Sequence, residues 1–90
     1  MGTALLKIKI MPESLNVNLE NLGKKAKKAI ESEQGKNVRF EKEPVAFGLV
    51  ALIAGFAIDE SLSTDIFEEK LRKIKEVSSV DIIDFRRAIG

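Results

Sequence analysis

A four-stranded antiparallel sheet with two helices on one of its faces, the ferredoxin-like βαββαβ arrangement of the α+β class, is the fold that this sequence predicts. Four segments carry strand patterning, two carry helical periodicity, and they follow one another as β-α-β-β-α-β with no stretch left for another element. Two right-handed β-α-β crossings then bring both helices to the same side of the sheet. Residues 1–90 therefore read as a single domain.

Residues Ala4–Met11 alternate, with Leu6, Ile8 and Ile10 on one face and Leu5, Lys7, Lys9 and Met11 on the other. A period of two predicts a strand, and Pro12 is its expected end because proline has no N–H for a ladder. Asn16 or Asn18 caps the helix that follows, whose apolar stripe is Leu19, Leu22, Ala26, Ala29 and Ile30. Gly23 costs that helix roughly 1 kcal/mol relative to alanine, and Gly35 is the expected stop.

Val38 and Phe40 alternate with Arg39 and Glu41 in a second, more polar strand closed by Glu43-Pro44. From Ala46 to Ile58 the chain is apolar almost throughout, which predicts the central strand of the sheet. Gly48 marks a turn or bulge within it and Gly55 a close backbone approach. Asp59–Ser63 is a loop; Ser63, Thr64 or Asp65 caps the second helix, Asp65 and Glu68 having capping-box spacing. Phe67, Leu71 and Ile74 form its stripe. Val77–Phe85 is the last strand, followed by the charged end Arg86-Arg87-Ala88-Ile89-Gly90. The helix-free sheet face would carry Leu5, Met11 and one set of residues from the Ala46–Ile58 strand, an apolar surface that a binding partner would explain.

Hydrophobic residues at 44% and charged residues at 32% describe a globular chain rather than a disordered one. A net charge of +1 draws the protein neither to nucleic acid nor to a membrane surface. Cysteine and histidine are both absent, which excludes disulfides, thiolate metal sites, zinc-type sites, imidazole acid–base chemistry and the usual catalytic triads. The longest apolar run, Pro44 to Ile58, is shorter than the ~20 residues of a membrane helix, and Lys7 and Lys9 interrupt the N-terminus too early for a signal peptide. Met1-Gly2 is like a myristoylation start, but Leu6 stands where that motif wants Ser or Thr. The expectation is a soluble cytoplasmic protein without cofactor or metal, monomeric when free.

The lysines Lys24, Lys25, Lys27 and Lys28 read as a solvated helix face, since Glu20, Glu31 and Glu33 share the helix and dilute its field. Asp59, Glu60, Asp65, Glu68 and Glu69 lack the spacing of a calcium loop and complement a helix N-terminus instead. Phe47-Gly48-Leu49-Val50 faintly echoes the aromatic motif of RNA-recognition domains, but Leu49 and Leu52 stand where further stacking rings belong, so direct nucleic-acid binding is not expected. Phe85-Arg86-Arg87 places two guanidinium groups at the last reach of the chain, where by composition a frayed terminus or a phosphate or carboxylate contact are both open readings.

Three phrases taken in order resemble a known family. Lys7-Ile8-Lys9-Ile10-Met11-Pro12-Glu13-Ser14, Glu43-Pro44-Val45-Ala46-Phe47-Gly48-Leu49 and Asp84-Phe85-Arg86-Arg87 are similar to the opening strand, the internal signature and the ending of archaeal translation elongation factor 1-beta. The resemblance implies a guanine-nucleotide exchange factor, not an enzyme, that promotes GDP release from the elongation factor 1-alpha GTPase. It also implies partner-binding residues: Phe47, followed by Gly48, as a wedge against the GTPase switch region, and Arg87, with Arg86 beside it, reaching toward the GTPase's magnesium and phosphate site. Eukaryotic members place lysine where Arg87 stands. The alternative is a small-ligand-binding regulatory domain of the same fold.

Overall fold

A computed structural model of the chain describes residues 2–88, so Ile89 and Gly90 of the expected charged end lie outside the described residues. The cleanest alternation in the sequence becomes β1 (Thr3–Pro12), in which Ala4, Leu6, Ile8 and Ile10 are buried and the intervening residues face the other way. It is followed by α1 (Leu19–Ser32), β2 (Lys36–Pro44), β3 (Val50–Asp59), α2 (Thr64–Arg72) and β4 (Val77–Ala88). The sheet order is β2-β3-β1-β4 with every neighbouring pair antiparallel, which is the expected ferredoxin-like topology.

One face of the sheet meets both helices. Leu22, Ala26 and Ile30 of α1 and Phe67 and Leu71 of α2 pack on Leu6, Ile8, Ile10, Leu52, Ala54, Phe56 and Ile58. Each large apolar side chain so buried contributes roughly 1.5–3 kcal/mol. The Phe56 and Phe67 rings lie 5.0 Å apart and tilted by 50°, joining sheet to helix at the centre of the core. Among the described residues no polar side chain is buried, and no helix is long and apolar enough to cross a membrane.

Several boundaries fall elsewhere than the sequence predicts. β3 begins at Val50, not Ala46, because residues 45–49 form a reversal whose hydrogen bonds close on themselves: Val45 N–H donates to Leu49 O at 2.8 Å and Leu49 N–H to Ala46 O at 2.9 Å. β1 continues through Pro12, which sits opposite Val77 at a register shift that spares it from donating. β4 runs on past Phe85 to Ala88, because β1 offers ladder partners as far back as Thr3; Arg86 and Arg87 are therefore strand residues rather than a frayed tail.

The end of α1 is a Schellman closure in which Gln34 N–H donates to Glu31 O and Gly35 N–H to Ile30 O. The left-handed position belongs to Gln34 (φ 73°), not Gly35. Gly35 is needed for room: a Cβ there would strike Cγ2 of Ile30 and lie 3.0 Å from its carbonyl oxygen. Gly55 has no close backbone neighbour, since an added Cβ would meet only Lys7 Cγ at 3.9 Å. Asn18 caps α1 and Ser63 caps α2, leaving Asp65 in the first turn of α2 beside the helix's positive end.

The helix-free face carries Leu5, half-exposed, and Ile53 of β3. Ile53 is only 7% exposed there, although no helix covers it; Lys9 and Glu41 are its cross-strand neighbours. Lys9 and Glu43 also join at 3.4 Å across that face. A shallow groove of about 440 Å³ remains, lined by Leu5, Lys7, Arg39, Gly55 and Asp84 among others.

Candidate functional site

The hairpin between β2 and β3 is closed by the Pro44–Val50 pair and turns at Phe47 and Gly48, with φ of 54° and 81°. Positive φ at both central residues is the sign pattern of a type I′ turn, which suits the right-handed twist of the flanking strands. Such a turn normally takes Asn, Asp or Gly at the first position. A left-handed conformation costs an ordinary L-residue roughly 1–2 kcal/mol, so phenylalanine there opposes the fold's own preference. Its ring is 96% exposed and gives up the hydrophobic stabilisation that burial would bring. Neither packing nor turn chemistry explains this residue. Gly48, with φ 81°, is placed where glycine is required.

Two further apolar side chains are exposed nearby. Val45 belongs to the hairpin itself, and Leu15 stands on the loop between β1 and α1, with its Cδ2 3.5 Å from the position a Gly48 Cβ would take. A small cleft between hairpin and loop is walled by Pro12, Leu15, Val17, Gly48 and Leu49. The composition and periodicity did not single out Leu15. Its signal was a large aliphatic residue amid the polar run Glu13-Ser14-Leu15-Asn16.

The other candidate residues lie at the opposite end of the sheet. Arg86 pairs with Leu5 on the helix-free face, and Arg87 pairs with Ala4 on the helix face, as the two-residue period of a strand requires. Arg86 Nε is held by Asp84 at 3.1 Å, whereas the nearest carboxylate to Arg87 Nε is Glu60 at 3.9 Å. Both side chains are about three-quarters exposed (75% and 77%). A bulge that leaves Ile83 unpaired between the Ile8–Ile82 and Lys7–Asp84 pairs precedes them, and a bulge of this kind bends and twists the strand that carries it. Phe85, at 46% exposure, shares the face of Arg87.

From the hairpin to the arginines the fold spans nearly all of β1: the eight residue steps from Ala4 to Pro12 come to roughly 26 Å at about 3.3 Å per residue, within a molecule 41 Å long. Phe47 with Gly48, and Arg87 with Arg86, are thus two separate points rather than one cluster.

The acidic residues considered at the sequence level are dispersed in structural roles. Glu68 pairs with Arg72 at 3.2 Å, and Asp65 lies in the first turn of α2. Asp59 accepts from Ser61 N–H at 2.9 Å and from the Ser61 hydroxyl at 2.7 Å, and these bonds, the backbone one foremost, hold its carboxyl below the usual aspartate range. Among the described residues no group of three or more Asp or Glu is arranged to hold a metal ion. Lys25 pairs with Glu76 at 3.3 Å, and the neighbouring lysines of α1 are solvated.

The chain matches the model of the EF-1 guanine nucleotide exchange domain over residues 5–88. It is 43% identical to an elongation factor 1-beta of Methanobrevibacter smithii, over 97% of this chain and 98% of that protein. Similar relatives carry the same name in Methanothermobacter thermautotrophicus, at 40% identity over 97% and 98% of the two chains, and in Sulfurisphaera tokodaii, at 38% over 97% of each.

Proposed function

The chain belongs to the family of EF-1 guanine nucleotide exchange domains and is a guanine-nucleotide exchange factor of translation elongation, and we propose that it works through two separated contacts, Phe47 at one end of the sheet and Arg87 at the other. Its partner is the elongation factor 1-alpha GTPase. The observation that carries this reading is Phe47: a fully presented aromatic ring on a strained turn, where the fold alone would favour Asn or Gly. Strain retained at an exposed position points to a use outside the fold, and aromatic rings presented in this way are the residues around which protein interfaces concentrate binding energy.

The separation of the two points determines how they work. A span of roughly 26 Å along a strand is too long for both residues to enter one nucleotide pocket. In this reading Phe47 anchors the factor on one part of the GTPase while Arg87 addresses the phosphate-binding region. Arg87 takes that role in preference to Arg86 because Asp84 already engages Arg86 and because the two point to opposite faces. A planar guanidinium is suited to bidentate contact with phosphate oxygens or a carboxylate more than to replacing a compact metal ion.

The factor is not an enzyme in this reading. It needs no cofactor and makes no bond. It binds the nucleotide-free GTPase more tightly than the GDP-loaded form, and that difference in affinity alone drives release. It acts in the cytoplasm, as a monomer, without touching nucleic acid or membrane. Release of a fluorescent GDP analogue from the loaded GTPase tests the proposal: the wild-type protein should accelerate it, and Phe47→Ala and Arg87→Ala should each slow it while keeping the fold. Full activity in both variants would remove the site assignment.

A further inference from the structure

We infer that Leu15 is the second half of the hairpin contact: with Phe47 it forms a two-pronged apolar grip on the elongation factor 1-alpha GTPase, and the loop between β1 and α1 is part of the interface. The inference rests on the reading of Phe47 as a partner contact and extends it to a different element of the chain.

Three observations carry it. Leu15 is 64% exposed, second only to Phe47 among the large apolar side chains of the described residues. Its exposure is not that of a loose loop. Glu13 N–H donates to Glu76 O at 2.9 Å at the start of the loop, Asn16 N–H to the Ser14 hydroxyl at 3.2 Å within it, and Asn18 caps α1 at its end. The backbone on both sides of Leu15 is therefore held, and the side chain is presented outward on a fixed base, at little further entropy loss on binding.

The third observation is adjacency. Leu15 Cδ2 lies 3.5 Å from where a Cβ on Gly48 would be, and Gly48 is the turn partner of Phe47. The positive φ of the turn is what requires the glycine; a Cβ there would only make ordinary contact with the leucine. Leu15 lies beside the turn that carries Phe47, so a partner surface covering the tip of the hairpin extends over Leu15 as well. Burying both at once removes more apolar area from water than either alone. The residue is a specificity and anchoring contact, remote from the arginine end.

The experiment is a binding measurement between the nucleotide-free GTPase and four forms of the full chain: wild type, Leu15→Ser, Phe47→Ala and the double variant, with melting temperatures recorded for each. Leu15→Ser is expected to melt with the wild type and to weaken binding about five- to tenfold. The double variant should lose less than the product of the two single losses, since both side chains fill one recess. Wild-type affinity in Leu15→Ser together with weakened binding in Phe47→Ala would overturn the inference and leave the Phe47 contact standing. Wild-type affinity in both single variants would overturn the Phe47 contact itself, and this inference with it. A Leu15→Ser that melts well below the wild type would assign Leu15 to the fold and overturn the inference.

Discussion

Phe47 and Arg87 stand at opposite ends of one sheet: Phe47 tips the hairpin beyond the Pro44–Val50 pair, and Arg87 lies across from Ala4 near the other end of β1. The rigid ladder between them fixes their separation, so the sheet acts as a spacer as well as a scaffold. The helices brace that spacer on one side through the Phe56–Phe67 contact and its neighbours.

Replacing Phe47 by asparagine separates fold from function. Asparagine tolerates the left-handed conformation, so Phe47→Asn is expected to raise unfolding free energy by about 0.5–1 kcal/mol. Nucleotide exchange should fall in the same variant. Chemical denaturation and an exchange assay on one preparation check both halves.

The two arginines should differ. Arg87→Ala is expected to reduce exchange about tenfold or more, whereas Arg86→Ala, which only frees Asp84, should retain most activity. Neither should change stability by more than about 0.5 kcal/mol, as expected for exposed charges. Equal losses in the two variants would contradict the assignment of separate faces.

Two neighbouring residues at the end of α1 should respond in opposite directions. Gly35→Ala is expected to destabilise by about 1–3 kcal/mol, because the methyl group overpacks against Ile30. Gln34→Gly should stabilise by up to about 1 kcal/mol, by relieving the left-handed conformation. Thermal unfolding of the pair, compared with the wild type, reads the difference.

Asp59 sets a small pH dependence. Its carboxyl is held below the ordinary aspartate value of 3.8 by the Ser61 hydrogen bonds, so the folded state favours the ionised form. The resulting stabilisation is present above that value and is lost as pH falls below it through the folded value. Asp59→Asn should therefore flatten the acid limb of a stability–pH profile below about pH 4 and leave exchange at neutral pH unchanged.

Most of the fold was legible because alternation and helical stripes are strong where a single face is buried. Leu6, Ile8 and Ile10, or Leu22, Ala26 and Ile30, announce their elements directly. The boundaries were not legible where patterning and backbone conformation part company. Ala46, Phe47 and Leu49 are as apolar as a strand, but the chain turns there, and only Gly48 hinted at it. Gly35 looked like a conformational stop and is a steric one. Arg86 and Arg87 looked like a loose end because their ladder partners, Leu5 and Ala4, lie some eighty residues earlier in the chain.

The candidate residues were named from a family likeness, not from periodicity, and only the folded chain places them on separate ends. Leu15 is illegible in the sequence for a related reason. A single leucine in a loop is common, and nothing in the sequence brings it to Gly48.

The most direct test of the account is the rate at which a fluorescent GDP analogue leaves the elongation factor 1-alpha GTPase, measured with wild type, Phe47→Asn, Arg87→Ala and the combination of both. Acceleration by the wild type, a loss of about tenfold or more in each single variant, and no acceleration by the double variant are the predicted results. Acceleration by the folded double variant equal to that of the wild type would contradict the two-contact account.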